Sequence, residues 1–358
     1  MKRSLVYIAL CCLLVVSCTT DQDDNIDGYT ATPLELNIPP LFAEKILPPV
    51  IPEDNPQSVE GVALGRKLFF DKKLSADNTL ACAGCHSPAS AFSDPRQFSI
   101  GIDGTAGTRN SMPLFNLAWN YNELFFWDGR AVSVENQALF PVIDPIEMHN
   151  TWPGAVSTLQ ADPEYPALFE AAFGTQNIDS ILVTKAIAQF VRTLISGNSK
   201  FDRYLAGTEQ LTQSELNGLN IFLDENRGDC FHCHGNPNNP LWTDNIFHNN
   251  GLDETHVDRG RGAVTGDPRE FGTFKTPSLR NLAYTAPYMH DGRFNTIDEV
   301  IDHYSEGLVY SETIDPLMKK VNEGGVGLSP EDKADLKAFL LTLSDPSFIS
   351  NPDFQDPN

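Results

Sequence analysis

Cys82-Ala83-Gly84-Cys85-His86 and, much further along, Cys230-Phe231-His232-Cys233-His234 are two copies of one pattern, Cys-x-x-Cys-His. In this pattern the two thiols form thioether links to a haem, and the adjoining imidazole binds its iron. The two copies use every cysteine beyond residue 18. They point to an exported protein carrying two covalently bound haem c groups, because haem is attached in this way outside the cytoplasm. The other three of the seven cysteines are Cys11, Cys12 and Cys18, so none is left for a structural disulfide. Structural zinc is the competing reading of four cysteines. Zinc ribbons space their pairs about 15–20 residues apart, a spacing these pairs far exceed, and both pairs here end in His. A thioredoxin-like redox pair accounts for neither the duplication nor the histidines.

At the N-terminus, Lys2 and Arg3 precede an apolar run from Leu5 to Val16, too short to span a bilayer comfortably. Residues 1–18 read as an export signal. Val15-Val16-Ser17-Cys18 resembles a lipobox whose Cys18 is lipidated, with plain secretory cleavage as the alternative. Asp21, Asp23 and Asp24 resemble the acidic export signal of surface lipoproteins in some Gram-negative bacteria. Residues 19–57, rich in Pro, Asp and Asn, read as a tether partly wrapped on the body. The expected location is the periplasm or the cell surface, with the membrane engaged by the lipid anchor only.

The 358 residues include 48 acidic and 25 basic side chains, a formal charge of −23. That balance argues against nucleic acid or an anionic membrane face as a partner; its plainest meaning is solubility. Apolar periodicity predicts helices over Val59 to Phe70 and Ile181 to Ile195. Thr212 with Glu215 three residues later predicts a capping box at the start of a helix running to Leu223. Ser329-Pro330 followed by Leu336, Phe339, Leu340 and Leu343 predicts a C-terminal helix with a Ser cap. Few segments alternate as strands do.

An internal repeat runs beneath this pattern. Ser111-Met112-Pro113-Leu114-Phe115-Asn116-Leu117-Ala118 and Trp127-Asp128-Gly129-Arg130 follow the first haem motif. Lys275-Thr276-Pro277-Ser278-Leu279-Arg280-Asn281-Leu282-Ala283 and His290-Asp291-Gly292-Arg293 follow the second. Both Asp-Gly-Arg runs lead into a predicted helix. The expected fold is mainly α, with two haem-bearing helical domains related by internal duplication. They cover residues 58–205 and 206–345, meet near Ala206-Gly207, and leave a tail at 346–358.

The motifs and their order resemble the bacterial dihaem cytochrome c peroxidase family, including its MauG branch, over about residues 56–345. The resemblance implies two cytochrome c-like domains. One haem reacts with hydrogen peroxide and the other relays electrons from an external donor. Phe126-Trp127-Asp128-Gly129-Arg130-Ala131 matches the segment whose Trp lies between the haems, which makes Trp127 the electron conduit; core packing beside Phe125 and Phe126 is its plainer role. Gln137 and Glu147 match the distal pair. A carboxylate there takes a proton from the near peroxide oxygen and returns it to the departing one, and an amide orients the peroxide. Asn110, through its side-chain oxygen, and Thr285 and Pro287, through their carbonyls, match a calcium site between the domains. His290 matches a residue near the second haem's propionates.

The chain departs from the peroxidase pattern twice. Peroxidases that need reductive activation carry a His in a loop like Ser-Ile-Gly-His. Here the loop reads Ser99-Ile100-Gly101-Ile102, and Ile102 implies an open sixth position on the haem of His86. His149 is the nearest substitute. The family's relay haem often takes a Met from the helix after the second Asp-Gly. Here that helix reads Thr296-Ile297-Asp298-Glu299-Val300-Ile301-Asp302-His303-Tyr304, and the matching residue is Tyr304, as in MauG-like proteins. A phenolate favours ferric iron and lowers the potential. Tyr304 ranks ahead of Met289, which is out of register, and of His303.

The expected activity is reduction of hydrogen peroxide to water at the haem of His86, with electrons relayed from the haem of His234. One alternative is MauG-like, peroxide-dependent oxidation of a partner protein. Another is a non-enzymatic dihaem electron carrier. The expected partners are hydrogen peroxide, a small redox protein or a protein substrate, and a second copy of the chain.

Overall fold

A computed structural model describes residues 29–357. The export signal, Cys18 and the acidic run after it lie outside the described residues. From Ala31 onward the chain forms one compact unit. Its helices are α1 (Pro40–Lys45), α2 (Val59–Phe70), α3 (Val134–Ile143), α4 (Trp152–Gln160), α5 (Tyr165–Phe173), α6 (Ser180–Thr193), α7 (Lys200–Leu205), α8 (Gln213–Leu223), α9 (Phe231–His234), α10 (Arg261–Thr265), α11 (Ile297–Glu306), α12 (Pro330–Leu341) and α13 (Pro346–Ile349). A short antiparallel pair, β1 (Phe247–His248) and β2 (Phe274–Lys275), sets Phe247 opposite Lys275.

The helices start where side chains satisfy their first amides. Thr212 and Glu215 form the capping box of α8, Thr296 and Glu299 that of α11, and Ser329 and Asp332 that of α12, with Pro330 in its first turn. Two helix pairs carry the cores. In the first, α2 crosses α6 so closely that a Cβ on Gly65 would collide with the Ala186 carbonyl, and Phe69 packs on Phe190 at 5.4 Å. In the second, α8 crosses α12, Gly218 meets the Asp335 carbonyl, and Phe222 packs on Phe339 at 5.3 Å. The same device, a glycine at a helix crossing beside an aromatic pair, thus occurs in both halves. It is what two packed helices need when their axes must approach this closely.

Two main hydrophobic clusters result. One gathers Leu64, Leu68, Phe69, Phe92, Phe115, Val183 and Phe190; the other gathers Phe201, Phe222, Trp242, Ile301 and Phe339. A smaller, separate cluster gathers Phe42, Trp119 and Leu241, so residues 31–57 include a segment packed into the body. Phe348 and Phe354, from the C-terminal segment, belong to the first cluster although they follow the second in sequence.

The repeat is visible in the backbone. Phe126 and Met289 both adopt left-handed φ values, +66° and +74°, and Gly129 and Gly292 follow at +69° and +61°. Phe125 bridges Ala131 and Tyr288 bridges Phe294, closing the two turns alike. In each turn the Asp carboxylate accepts from the Arg amide two residues on, at 3.2 Å for Asp128 and 3.3 Å for Asp291. The helices that follow, α3 and α11, both have 10 residues.

Candidate functional site

A cavity of about 1130 Å³ opens beside the first motif. Ordinary small-molecule sites occupy roughly 300–1,000 Å³, so this space suits a macrocycle. Cys82, Cys85 and His86 line it, as do Phe126, Trp127, Arg130, Gln137, Pro141, Glu147 and Met148. His86 Nδ1 lies 2.9 Å from the Phe92 carbonyl. Donation to that carbonyl fixes the tautomer and leaves Nε2 unprotonated. Burial also lowers the imidazole's pKa, favouring the neutral, metal-binding form. Two thiols and an imidazole with one free nitrogen on one cavity wall fit a covalently bound haem.

Glu147 faces the same space. Its carboxyl is pushed up to about 7, first by burial and then by Asp144, while Arg130 opposes the shift. Arg130 is itself laid over the Phe126 ring at 3.7 Å. Ile102 itself does not line the cavity, although Ser99 at the start of its loop does. The Ile102 amide donates to the Glu147 carbonyl at 3.0 Å, and Gly101 sits against the Ile146 and Glu147 carbonyls. His149 is exposed and pairs with Asp103 at 2.6 Å, which occupies the ring the sequence offered as a substitute ligand.

The second site is organised around Asn250. Its amide nitrogen donates to the Tyr304 hydroxyl at 3.0 Å and lies 3.6 Å from the Met289 sulfur. Its carbonyl lies 3.1 Å from His303 Nε2. Burial pushes the Tyr304 hydroxyl up to about 12; the Asn250 hydrogen bond opposes this, and the thiols of Cys233 and Cys230 add to the rise. Tyr304 therefore faces the second haem motif, with Met289 beside it. Burial brings the His234 imidazole down to about 4, while Asp244 and the backbone carbonyls of Trp242 and Pro277 oppose the shift. A buried neutral imidazole, two thiols and a phenol that feels their charge fit a second haem.

Trp127 lines the first cavity and is 8% exposed. Its indole N–H donates to the Asn110 carbonyl at 2.8 Å, and its own carbonyl accepts from the Lys275 amide at 2.9 Å. The Asn110 amide in turn donates to the His290 carbonyl at 2.8 Å. Trp127 is thus held by one loop from each half. His290 is buried and stacked on Phe274, with ring centroids 3.6 Å apart. Arg109 reaches across the halves to Asp258 and also grips Asp128. The Asn110 side-chain nitrogen donates to the Arg96 and Gln97 carbonyls, and Thr285 and Pro287 are buried nearby in sequence to His290. Among the described residues, no three His, Cys, Asp or Glu side chains form a group that could hold a metal ion by themselves.

Sequence reasoning missed Pro141, Phe92, Asn250 and Arg130. Pro141 was within reach. It is the eighth residue of α3, as Tyr304 is the eighth of α11. The position that offers a phenol in the second half offers a ring without a donor in the first.

Residues 59–210 match the family described as di-haem cytochrome c peroxidase. The methylamine utilization protein MauG of Methylophilus methylotrophus is 37% identical over 82% of this chain and 84% of its own length. A cytochrome-c peroxidase, IdrP1, of Pseudomonas sp. strain SCT is 34% identical over 91% and 92%. The crystal structure of a MauG-like protein associated with microbial copper homeostasis superposes with a TM-score of 0.81 at 36% identity, covering 90% of this chain and 99% of that one. With its two haem motifs, its duplicated helical halves and these relatives, the chain belongs to the di-haem cytochrome c peroxidase family.

Proposed function

We propose that this protein reduces hydrogen peroxide to water at the site of His86, using electrons that enter through the site of His234. The carrying observation is that His86, Gln137, Glu147 and Trp127 line one cavity, with the carboxyl of Glu147 brought to about 7. Haem, when bound through Cys82 and Cys85, supplies a redox-active iron that polarises the O–O bond and exchanges electrons. Glu147, in its ionised form, takes a proton from the near oxygen of peroxide and delivers it to the departing one. A group with a pKa near the working pH can do both. The Gln137 amide orients the peroxide, and Arg130 limits the rise in the Glu147 pKa. Two electrons and two protons turn one peroxide into two waters. Trp127, pinned from both halves, is the route for those electrons.

At the second site, Tyr304 would hold the iron through its oxygen, which accepts a hydrogen bond from Asn250. A phenolate there favours oxidised iron. This is the specific ground for a second reading, in which stored oxidising equivalents are passed to a partner protein. A simple electron carrier would need a closed first site, and Pro141 and Ile102 have no side-chain donor to close it. Asn110, Thr285 and Pro287 hold a calcium ion between the halves. The chain is exported and anchored through Cys18, and two copies form its assembly.

Stopped-flow mixing of the oxidised holoprotein with peroxide, followed by a donor screen, tests the proposal. Rapid turnover with a reduced small cytochrome supports the peroxidase. A long-lived oxidised state with poor turnover supports partner oxidation. No reaction with peroxide sinks both.

A further inference from the structure

The two iron-ligating histidines differ in how their rings are held. His86 Nδ1 donates to the Phe92 carbonyl, whereas the backbone carbonyls beside the His234 ring are those of Trp242 and Pro277. Phe92 is not a relaxed residue. It and Ala91 take left-handed φ values in succession, +61° and +49°, a conformation that side-chain-bearing residues avoid. Something must hold the loop in this shape, and part of it comes from the far end of the chain. Phe92 is fully buried. Phe348 and Phe354 pack on its ring at 5.8 and 6.4 Å, and on each other at 5.2 Å. Helix α13, which carries Phe348, lies against the Pro88–Ser90 turn that leads into the strained pair.

The segment is fastened at both ends. At its start, the buried Asp345 carboxylate accepts from the amides of Gly197 and Asn198 with one oxygen and from those of Ser347 and Phe348 with the other. At its end, Arg66 on α2 donates to the carbonyls of Pro352 and Gln355, at 2.7 and 2.9 Å.

We propose that the C-terminal segment from Asp345 to Gln355 is a clasp that positions His86. Its two phenylalanines hold Phe92 in place, and the Phe92 carbonyl sets the ring orientation and the Nδ1 hydrogen bond of the imidazole. That hydrogen bond raises the basicity of the iron-binding nitrogen. The clasp therefore tunes the first haem and leaves the second alone. Phe348, Phe354 and Arg66 act through Phe92 and are positioning residues. The proposal rests on the reading of His86 as an iron ligand.

The test uses the reduced holoprotein and the iron–histidine stretching vibration of its high-spin haem, seen by resonance Raman. F348A/F354A should lower that frequency and slow the reaction with peroxide on the order of tenfold, while the low-spin paramagnetic resonance signal of the second haem stays as in the wild type. F348L/F354L, which refills the space, should restore the frequency. R66A, which loosens the clasp without opening the core, should shift it less and in the same direction. An unchanged frequency in a folded F348A/F354A protein overturns the clasp, as does an equal disturbance of both haems. Should F348A/F354A fail to load haem, R66A decides: no shift overturns the proposal. A wild-type protein lacking any iron–histidine stretch would remove the His86 assignment itself, a failure separable from that of the clasp.

Discussion

Helices α3 and α11 leave the same kind of turn, start at a hydroxyl cap and run for 10 residues each, yet their eighth residues are Pro141 and Tyr304. The turns before them differ in the same way. Phe126 and Trp127 stand in the first where Met289 and His290 stand in the second, on backbones of matching φ. Duplication has kept the scaffold and exchanged the donor atoms. In the first half every residue at these places lacks a free ligand atom, and the space above His86 is a cavity. In the second half a phenol, a thioether and an amide meet around Asn250. On the proposed function, the division of labour between two equal motifs would come from this handful of side chains.

Removing the motifs one at a time is the strongest way to break this contrast. C82S/C85S should abolish the reaction with peroxide. C230S/C233S should keep a first reaction with peroxide and lose turnover with a donor. Equal losses would mean that the halves are not specialised. Next in size, Glu147→Gln should slow the peroxide reaction about 10²–10⁴-fold with both haems retained, measured by stopped flow.

The same residue gives a pH signature. With its carboxyl at about 7, the rate should rise with pH and level off above that value, and Glu147→Gln should flatten the curve. Stability runs the opposite way. The folded-state value stands above the ordinary 4.5, so the contribution is full below 4.5 and is lost as pH rises through about 7.

A sharper test exchanges the eighth residues. Tyr304→Phe should convert the second haem's low-spin signal to high spin. Pro141→Tyr should do the reverse at the first and slow its peroxide reaction on the order of tenfold. Smaller still, Gly65→Ala and Gly218→Ala should each cost about 1–3 kcal/mol in unfolding free energy, because both collide with a backbone carbonyl across a helix crossing. Markedly unequal costs would show that the halves are less alike than their backbones. Asp103→Ala should cost no more than about 1 kcal/mol, since its pair with His149 is half exposed.

Much of this was written locally in the chain. Thr212 with Glu215 and Ser329 with Pro330 mark helix starts because a cap is a contact between residues three apart. Helix register carried the reading of Tyr304. Pro141 carries equal information, but a proline inside a helix reads first as a break. Asn250 escaped because it meets Met289 and Tyr304 only through long-range packing. Phe92 escaped for another reason: its part is played by a carbonyl, a group that every residue has.

The aromatic residues Phe348 and Phe354 complete a core that begins at Leu64. In space, then, the second haem half is an insertion within the first, although in sequence it simply follows it. A ribosome releases the chain in order, so the first core stays unfinished until the last residues have emerged. A break in the chain near residue 205 would accordingly leave two pieces still clamped together, and neither piece would be a whole domain.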